Sequence, residues 1–314
     1  MKRHSKFSRP ILFAIAGLVG LSACKKDSPV VNPPGTITTQ VVAAPDLSLL
    51  ESAVIKAGLA TTLDGPGPFT VFAPTDDAFA ASGITSAVIG SLPADQLKKI
   101  LLYHTLGSKV MAANVPAGPN ASVTTAGGDS VFVTNNANGV FVNGIKVTKA
   151  DIPASNGVIH TMPRVLLPAA GNIVEVASAD TTFSFLVAAV VKASKGSTNV
   201  AAVLSGKNIL TVFAPTNNAF RAAGFATIDA INAADPNTLT AILTYHVVPG
   251  RIFSSDLVNA AQPATANGAK VTIGITSSGA TVKGNSNGAA SNITAANIMA
   301  TNGVIHVIDR VLLP

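Results

Sequence analysis

The apolar positions of this chain follow helical spacing in some stretches and strand spacing in others. Residues 47–57 carry apolar side chains at near-helical intervals, with Asp46 as the predicted N-cap and Gly58 as the stop. Residues 69–73 (FTVFA) alternate and are rich in β-formers, so they predict a strand, which Pro74 ends. The pattern therefore predicts a helix followed by a strand.

Two further helices follow this first strand. Thr75 is the predicted N-cap of a short helix that carries Phe79 inward. Pro93 lies in the first turn of a longer helix, which ends at Tyr103-His104. Because Tyr and His are both amphipathic, this pair is either a hydrogen-bonded core pair or an exposed contact.

The next stretch has the pattern of short strands. Residues 121–160 contain β-rich runs between Gly and Asn residues, and the Asn-Gly pairs at 138–139 and 143–144 predict hairpins. The stretch closes on residues 156–160 (NGVIH), an apolar strand that we expect to be central and adjacent to the first strand. Helices followed by strands predict an α+β fold.

The whole series of elements is written twice. Residues 156–168 (NGVIHTMPRVLLP) return as residues 302–314 (NGVIHVIDRVLLP), with 10 of 13 positions identical. The stretch FTVFAPTDDAF returns as LTVFAPTNNAF, with 8 of 11 positions identical. A repeat of about 130 residues has the size of one domain, so we predict two tandem domains. Their expected bounds are residues 41–168 and 172–314.

The first 24 residues have the features of a bacterial lipoprotein signal. A basic segment precedes residues 11–20 (ILFAIAGLVG), an apolar run too short to span a bilayer. The following residues 21–24 (LSAC) resemble a lipobox, which makes Cys24 the predicted lipidation site. The alternative is an ordinary secretory signal with an accidental cysteine or a buried thiol. Cys24 is the only cysteine, so an internal disulfide is excluded.

The segment after Cys24 suggests how the domains are attached. Residues 25–40 are rich in Pro and Thr, and we predict that they form a flexible tether. No Asp follows Cys24 directly, so the inner-membrane retention signal is absent. We therefore expect an outer-membrane lipoprotein, either periplasmic or exposed at the cell surface.

Composition and charge exclude two classes of protein. The chain is 48% hydrophobic and 11% charged, which argues against disorder. The net charge of +6 owes much to four basic residues in the first nine; without them, 17 basic residues stand against 15 acidic ones. A nucleic-acid partner is therefore not expected.

The titratable side chains form no known catalytic or metal-binding motif. The sequence has no GxSxG, HExxH, CxxC or P-loop. His160 and His306 lie on apolar strands, where a hydrogen-bonded core histidine is favoured over a ligand or base. Asp76-Asp77 becomes Asn217-Asn218 in the second copy; because Asn cannot act as a general base, a role at helix N-termini is favoured. We predict a non-enzymatic protein without cofactor or metal.

Three motifs together resemble the fasciclin (FAS1) domain family. The boxes FTVFAPTxxAF and NGVIHxxxRVLLP, with the Tyr-His pair between them, occur in the family's order in both copies. The resemblance implies a β-wedge or sandwich of about seven strands flanked by short helices. It also implies a role in cell-surface adhesion.

The resemblance also implies candidate contact residues. In animal members, integrin contact is attributed to the Tyr-His pair and to an Asp-Ile pair before the last box. The corresponding residues here are Tyr103, His104, Asp151 and Ile152 in the first copy, and Tyr245, His246, Asn297 and Ile298 in the second. The second copy lacks the carboxylate. For the Tyr-His pairs, a structural role is the alternative.

Three functions are open at this point. The first is a membrane-anchored adhesion or matrix-binding module that contacts a cell-surface or matrix protein or polysaccharide. The second is a carrier or sensor of an apolar small molecule such as a pigment or lipid, which requires an apolar cavity of roughly a few hundred Å³. The third is a passive structural spacer.

Overall fold

The computed structural model describes residues 33–314, of which residues 34–314 form one compact unit. The predicted signal, Cys24 and the first part of the predicted tether lie outside the described residues. The unit contains two halves with the same order of elements, which we call domain 1 (residues 34–168) and domain 2 (residues 172–314). Both halves have the predicted α+β architecture.

Domain 1 begins with helices and continues with strands, apart from one early strand. Its helices are α1 (Ile37–Ala43), α2 (Ser48–Lys56), α3 (Ala60–Asp64), α4 (Asp76–Ala81), α5 (Ser86–Ser91) and α6 (Ala94–Tyr103), with a 3-10 turn at Ala112–Asn114. Its strands are β1 (Phe69–Pro74), β2 (Thr105–Leu106), β3 (Ala121–Thr124), β4 (Ser130–Asn136), β5 (Gly139–Val142), β6 (Ile145–Lys146), β7 (Lys149–Ala154) and β8 (Gly157–Met162).

Domain 2 repeats this order. Its helices are α7 (Ile173–Ala179), α8 (Ser184–Ala193), α9 (Val200–Ser205), α10 (Asn217–Ala222), α11 (Ile228–Ala233) and α12 (Pro236–Tyr245), with 3-10 turns at Thr181–Phe183 and Ser254–Asp256. Its strands are β9 (Leu210–Pro215), β10 (Val247–Pro249), β11 (Thr272–Thr276), β12 (Gly279–Lys283), β13 (Ser291–Ala300) and β14 (Gly303–Ile308).

In each domain the closing strand is adjacent to the first strand, as predicted, and the two strands run parallel. The register aligns Phe69 with Gly157 and, in domain 2, Leu210 with Gly303. These pairs are central in sheets of order β2-β1-β8-β7 and β10-β9-β14-β13-β12-β11. In domain 1, the remaining strands form a second sheet of order β3-β4-β5-β6, which contains both predicted Asn-Gly hairpins.

Alternation along the central strands gives each domain two apolar cores. Val71 and Ile159 face the helices, whereas Phe72 and Met162 face the strand-rich half. Domain 2 has the same arrangement. Among the described residues, none of these core clusters contains side chains from both domains. Each domain therefore buries its own apolar surface.

The predicted tether (residues 25–40) extends too far. Thr36 caps α1 by accepting a hydrogen bond from the Thr39 amide, and Ile37 is completely buried in the core of domain 1. Residues 36–40 therefore belong to the domain. The polar Thr-rich sequence hides this helix because only about one side chain per turn, such as Ile37 and Val41, contacts the core.

The predicted cap of α2 is also wrong. Asp46 makes no capping bond; instead the Asp76 carboxylate accepts hydrogen bonds from the Leu49 amide (2.8 Å) and the Ser48 hydroxyl (2.7 Å). In domain 2, Asn217 Oδ1 accepts from the Phe185 amide at 3.0 Å. Asp76 and Asn217, the first residues of the Asp-Asp and Asn-Asn pairs, therefore each cap a helix N-terminus. The capped helix is not the one that begins at the pair itself.

The predicted cap Thr75 is present and accepts a hydrogen bond from the Ala78 amide. In domain 2, Thr216 and Asp235 cap helices α10 and α12 by accepting from the amides of Ala219 and Thr238. Within residues 33–314, no single helix has the length and apolar character needed to cross a bilayer. One pair of helices separated by a bend, Ile173–Ala179 and Thr181–Ala193, together has the length and composition of a membrane span, and this is the only ground for considering it.

Candidate functional site

The asparagine side chain of the repeated NGVIH motif forms hydrogen bonds to backbone groups of three residues in other segments. Asn156 Oδ1 accepts from the Ile37 amide at 2.9 Å, and its Nδ2 donates to the carbonyls of Leu63 and Gly65. Asn302 makes the same three bonds in domain 2, to Ile173, Leu204 and Gly206. The next residue, Gly157 or Gly303, is required because a Cβ there would overlap a carbonyl of the neighbouring parallel strand.

The histidine of the motif positions a bulge in the adjacent strand. His160 Nε2 donates to the Val110 carbonyl at 2.9 Å, and its Nδ1 accepts from the Asp151 amide at 3.1 Å. Nδ1 therefore carries no proton, and its 4.0 Å separation from the Asp151 carboxylate is not an ion pair. His306 bonds Ile252 and Asn297 in the same way. This confirms the predicted core histidines.

The tyrosines of the Tyr-His pairs connect the helices to the strands. The Tyr103 hydroxyl donates to the Ser130 carbonyl and accepts from Asn143 Nδ2 at 2.9 Å. The Tyr245 hydroxyl donates to the Lys270 carbonyl and accepts from the Asn285 amide. Both side chains are buried, and burial raises the pKa of Tyr103.

The histidines of these pairs connect the helix to the closing segment. His104 Nδ1 donates to the Ile100 carbonyl, and Nε2 accepts from the Leu166 amide at 2.8 Å. His246 does the same with Ile242 and Leu312. Burial lowers the pKa of both histidines to about 4, so both rings are neutral at pH 7.

The structure thus places both Tyr-His pairs inside the fold. Tyr103, His104, Tyr245 and His246 are each at most 1% exposed. A partner at the surface does not reach these side chains in this conformation, because every ring is covered by the protein's own strands and closing segment. The contacts support the structural alternative, and a direct adhesion contact through these pairs stays a prediction.

The Asp-Ile position differs between the two domains in a way that the structure explains. Asp151 and Asn297 both sit in the bulge with positive φ (60° and 66°). Their Oδ1 atoms accept equivalent bonds, from the Ala112 and Ser254 amides, at 2.8 Å. Asn297 Nδ2 also donates to the Gly144 carbonyl of domain 1 at 3.2 Å, which a carboxylate cannot do.

Asn297 is part of a contact between the domains. The guanidinium of Arg251 lies 4.0 Å from the ring centroid of Phe132, within cation–π range. Asn120 Nδ2 donates to the Asp256 carboxylate at 2.8 Å. At Gly144, an added Cβ would come within 2.6 Å of Phe253 Cβ, so the approach requires glycine. We call Arg251, Phe253, Asp256 and Asn297 the docking face of domain 2.

Domain 1 has an equivalent surface that the rest of the described chain does not cover. Counting from the Tyr-His pairs, Lys109, Met111 and Asn114 correspond to Arg251, Phe253 and Asp256, and Asp151 corresponds to Asn297. Lys109 and Asn114 are exposed, and the Asp151 side chain is 35% exposed. We call these four domain 1 residues the open face. Ile152, the neighbour of Asp151, packs against the core.

No metal site is evident at these positions, and the apolar cleft within domain 2 is small. Within residues 33–314, no three His, Cys, Asp or Glu residues lie close enough together to hold a metal ion. Domain 2 has an apolar cleft of ≈ 120 Å³ between helices α7, α8 and α9 and the sheet, lined by Ala177, Leu186 and Leu204 among others. It falls below the roughly 300 Å³ typical of small-molecule pockets.

The motifs and the fold agree with the comparison to known families. The model of the fasciclin domain matches residues 45–168 and again residues 181–314. The chain belongs to the fasciclin family. Both predicted motif sets therefore identify real fasciclin domains, and the α+β tandem is the family's fold.

Several relatives are similar over part of their length. Transforming growth factor-beta-induced protein ig-h3 of Sus scrofa is 29% identical over 256 residues, which is 80% of this chain and 35% of the relative. Periostin of Homo sapiens is 25% identical over 299 residues, 94% of this chain and 34% of the relative. The fasciclin chain described here thus spans about a third of the length of these two proteins.

A bacterial relative and a solved structure complete the comparison. Protein sll1483 of Synechocystis is 43% identical over 123 residues, 38% of this chain and 67% of the relative. A FAS1 domain pair from the insect cell adhesion molecule Fasciclin I covers 88% of this chain and 96% of its own, with 16% identity and a TM-score of 0.42.

Proposed function

We propose that this fasciclin-family protein is a non-enzymatic adhesion or matrix-binding module whose partner binds the open face of domain 1. The partner is a cell-surface or matrix protein or polysaccharide. The likeness to ig-h3 and periostin supports a role of this general kind. The open face replaces the buried Tyr-His pairs as the favoured contact site.

One structural observation carries this proposal. The same face in domain 2, centred on Arg251 and Asn297, already binds a folded protein surface, namely the β-hairpin side of domain 1. The open face of domain 1 presents a similar set of groups beside Asp151. They are the cation of Lys109, the thioether of Met111 and the polar side chain of Asn114. Because Asp151 uses Oδ1 for the Ala112 amide and is partly exposed, its carboxylate is available to a donor on a partner.

The alternatives have weaker support. A carrier of a pigment or lipid requires a larger apolar cavity than the ≈ 120 Å³ cleft of domain 2, and the larger cavities between the domains are lined by Arg164 and Asn297 as well as by apolar side chains. A passive spacer requires no contact face, and the attachment experiment below distinguishes it from an adhesion module.

The proposal is tested with Asp151→Asn. Asn297 shows that an amide keeps the bulge and the bond to the 3-10 turn, so this variant removes the charge and leaves the fold intact. Cells that display the chain on their surface are tested for attachment to plates coated with their own secreted matrix. We expect attachment to weaken about fivefold or more, the effect of losing about 1 kcal/mol at a contact residue.

The matched control is Asp129→Asn, which makes the same charge change at an exposed position on a turn away from the open face. It should attach like the wild type. Equal attachment of Asp151→Asn and wild type would reject the open face as the contact site. No attachment by any form, including the wild type, would favour the spacer.

We further propose that the domains are anchored to the outer membrane through a lipid on Cys24, which lies outside the described residues. Cys24→Ser should move the protein from the membrane fraction to the soluble fraction, because stable anchoring needs more than one acyl chain and all would be lost together. Fractionation that does not change would contradict the anchor.

A further inference from the structure

A cleft runs between the two domains beside the Asn297–Gly144 contact. It consists of two adjoining cavities of ≈ 460 Å³ and ≈ 420 Å³ that share Ile145, Arg164, Ala296 and Asn297 in their lining. Both volumes lie in the range of roughly 300–1,000 Å³ typical of ligand sites, which often occur at domain boundaries. The cleft is separate from the open face.

The cleft contains a positive charge without a protein counter-ion. Arg164 is exposed, and its Nη1 donates a long 3.4 Å bond to the Ala81 carbonyl. In residues 33–314, no carboxylate lies within ion-pair distance of this guanidinium. In the second copy of the motif, Arg310 directly follows Asp309, whereas Arg164 follows Pro163.

One wall of the cleft is a strand with a free edge. β12 pairs with β13 only at Ser291 and Asn292, so in the described chain the next residues of β13 have a strand on one side only. The bulge between Ala295 and Ile298 places Ala296 outside the paired register, and residues 294–296 are exposed. Such an edge presents backbone donors and acceptors to an added strand.

The opposite wall comes from domain 1 and contributes a second edge. β6 is the last strand of its sheet, and Ile145 on it lines both cavities. None of the described residues lining the cleft is aromatic, so a sugar ring finds no face to stack on. Strand edges, apolar side chains and a cation together match a peptide backbone better than a glycan.

We propose that the interdomain cleft binds an extended acidic peptide segment, which adds to the free edge of β13 and places a carboxylate on Arg164. The peptide's backbone pairs with residues 294–296, and its alternate apolar side chains contact Ile145 and Ile298. This site is distinct from the open face and does not depend on the proposed adhesion function.

The test uses the intact tandem and a fluorescein-labelled peptide of four valine–glutamate repeats, followed by fluorescence polarisation. We expect saturable binding, and a matched valine–lysine peptide should bind at least about tenfold more weakly because its charge is reversed. A valine–glutamate peptide N-methylated at alternate positions should also lose binding, because it cannot pair along the edge.

The variants separate charge from fold. Arg164→Gln should weaken binding about tenfold, and Arg164→Lys should restore part of it. Arg310→Gln, at the same motif position outside the cleft, should bind like the wild type. Unchanged affinity in Arg164→Gln, or equal affinity for the acidic and basic peptides, would overturn the proposal. The proposal would also be overturned if the peptide did not bind but an acidic glycan, an oligogalacturonate, did, and if Arg164→Gln abolished that glycan binding.

The two proposals fail independently. If the wild-type chain promotes matrix attachment but does not bind the peptide, the cleft proposal is rejected and the adhesion function is retained. If it binds the peptide but does not promote attachment, the adhesion function is rejected and the cleft proposal is retained.

Discussion

His104 and His246 each form hydrogen bonds to two backbone groups in the core. One ring nitrogen accepts from the closing segment while the other donates to the end of the preceding helix. Protonation would turn the accepting nitrogen into a donor facing an N–H group, and it would place a charge in an apolar region. The neutral form is therefore part of the folded state.

This neutrality predicts a pH dependence of stability. In the folded protein the pKa of each of the two histidines is lowered to about 4, from about 6.5 in the unfolded chain. As the pH falls from 6.5 towards 4, the unfolded chain takes up protons that the folded protein does not. The free energy of unfolding should therefore fall by roughly 3 kcal/mol per histidine, with no change above pH 7.

Urea unfolding between pH 7.5 and pH 4.5 measures this effect. Carboxylates whose pKa is lowered contribute in a different window: the Thr238 amide bond lowers the pKa of Asp235, so its contribution is lost only as the pH falls below about 3.8. A urea midpoint that stays constant from pH 6.5 to pH 4.5 would contradict the role of the histidines.

At the scale of elements, helix ends are stabilised by residues from other elements. Asp76 lies at the start of α4, yet its carboxylate caps α2, and Asn217 does the same for α8. The cap therefore fixes the packing of two helices against each other as well as the start of one. Asp and Asn are interchangeable here because both offer an acceptor oxygen to an amide.

Asp76→Ala should lower the free energy of unfolding by about 1–2 kcal/mol, the usual effect of losing a capping side chain. Asp76→Asn should stay within about 0.5 kcal/mol of the wild type, as the second copy indicates. The exposed Asp77, changed to Ala, is the matched control in the same denaturation series. A larger loss for Asp77→Ala than for Asp76→Ala would show that this assignment of the cap is wrong.

At the scale of the molecule, the joint between the domains is local and combines polar and aromatic contacts. It rests on the Arg251–Phe132 contact, the Asn120–Asp256 bond and the Asn297–Gly144 bond, while each domain retains its own cores. A joint of this kind determines the relative position of the domains more than the stability of either. The interdomain cleft exists only while the joint is closed.

Asn297→Asp should open the joint, because a carboxylate cannot donate to the Gly144 carbonyl and would repel it. We expect a cost of about 1–3 kcal/mol at the interface. Calorimetry should then resolve two unfolding transitions, and X-ray scattering should show a larger radius of gyration. Asp151→Asn is the reverse change in domain 1 and should affect neither measurement. Identical scattering curves for Asn297→Asp and the wild type would refute this role of Asn297.

The two-domain α+β fold, the adjacency of the first and closing strands, the Thr75 cap and the family could all be predicted from the sequence. These features follow from periodicity, turn residues and motifs, which are encoded within short stretches and written twice. The roles of the motif residues follow from how the elements pack in three dimensions. The cap of α2 comes from 27 residues away, and the partner of Asn297 lies 153 residues away. Such bonds depend on how elements pack, which local sequence patterns do not specify.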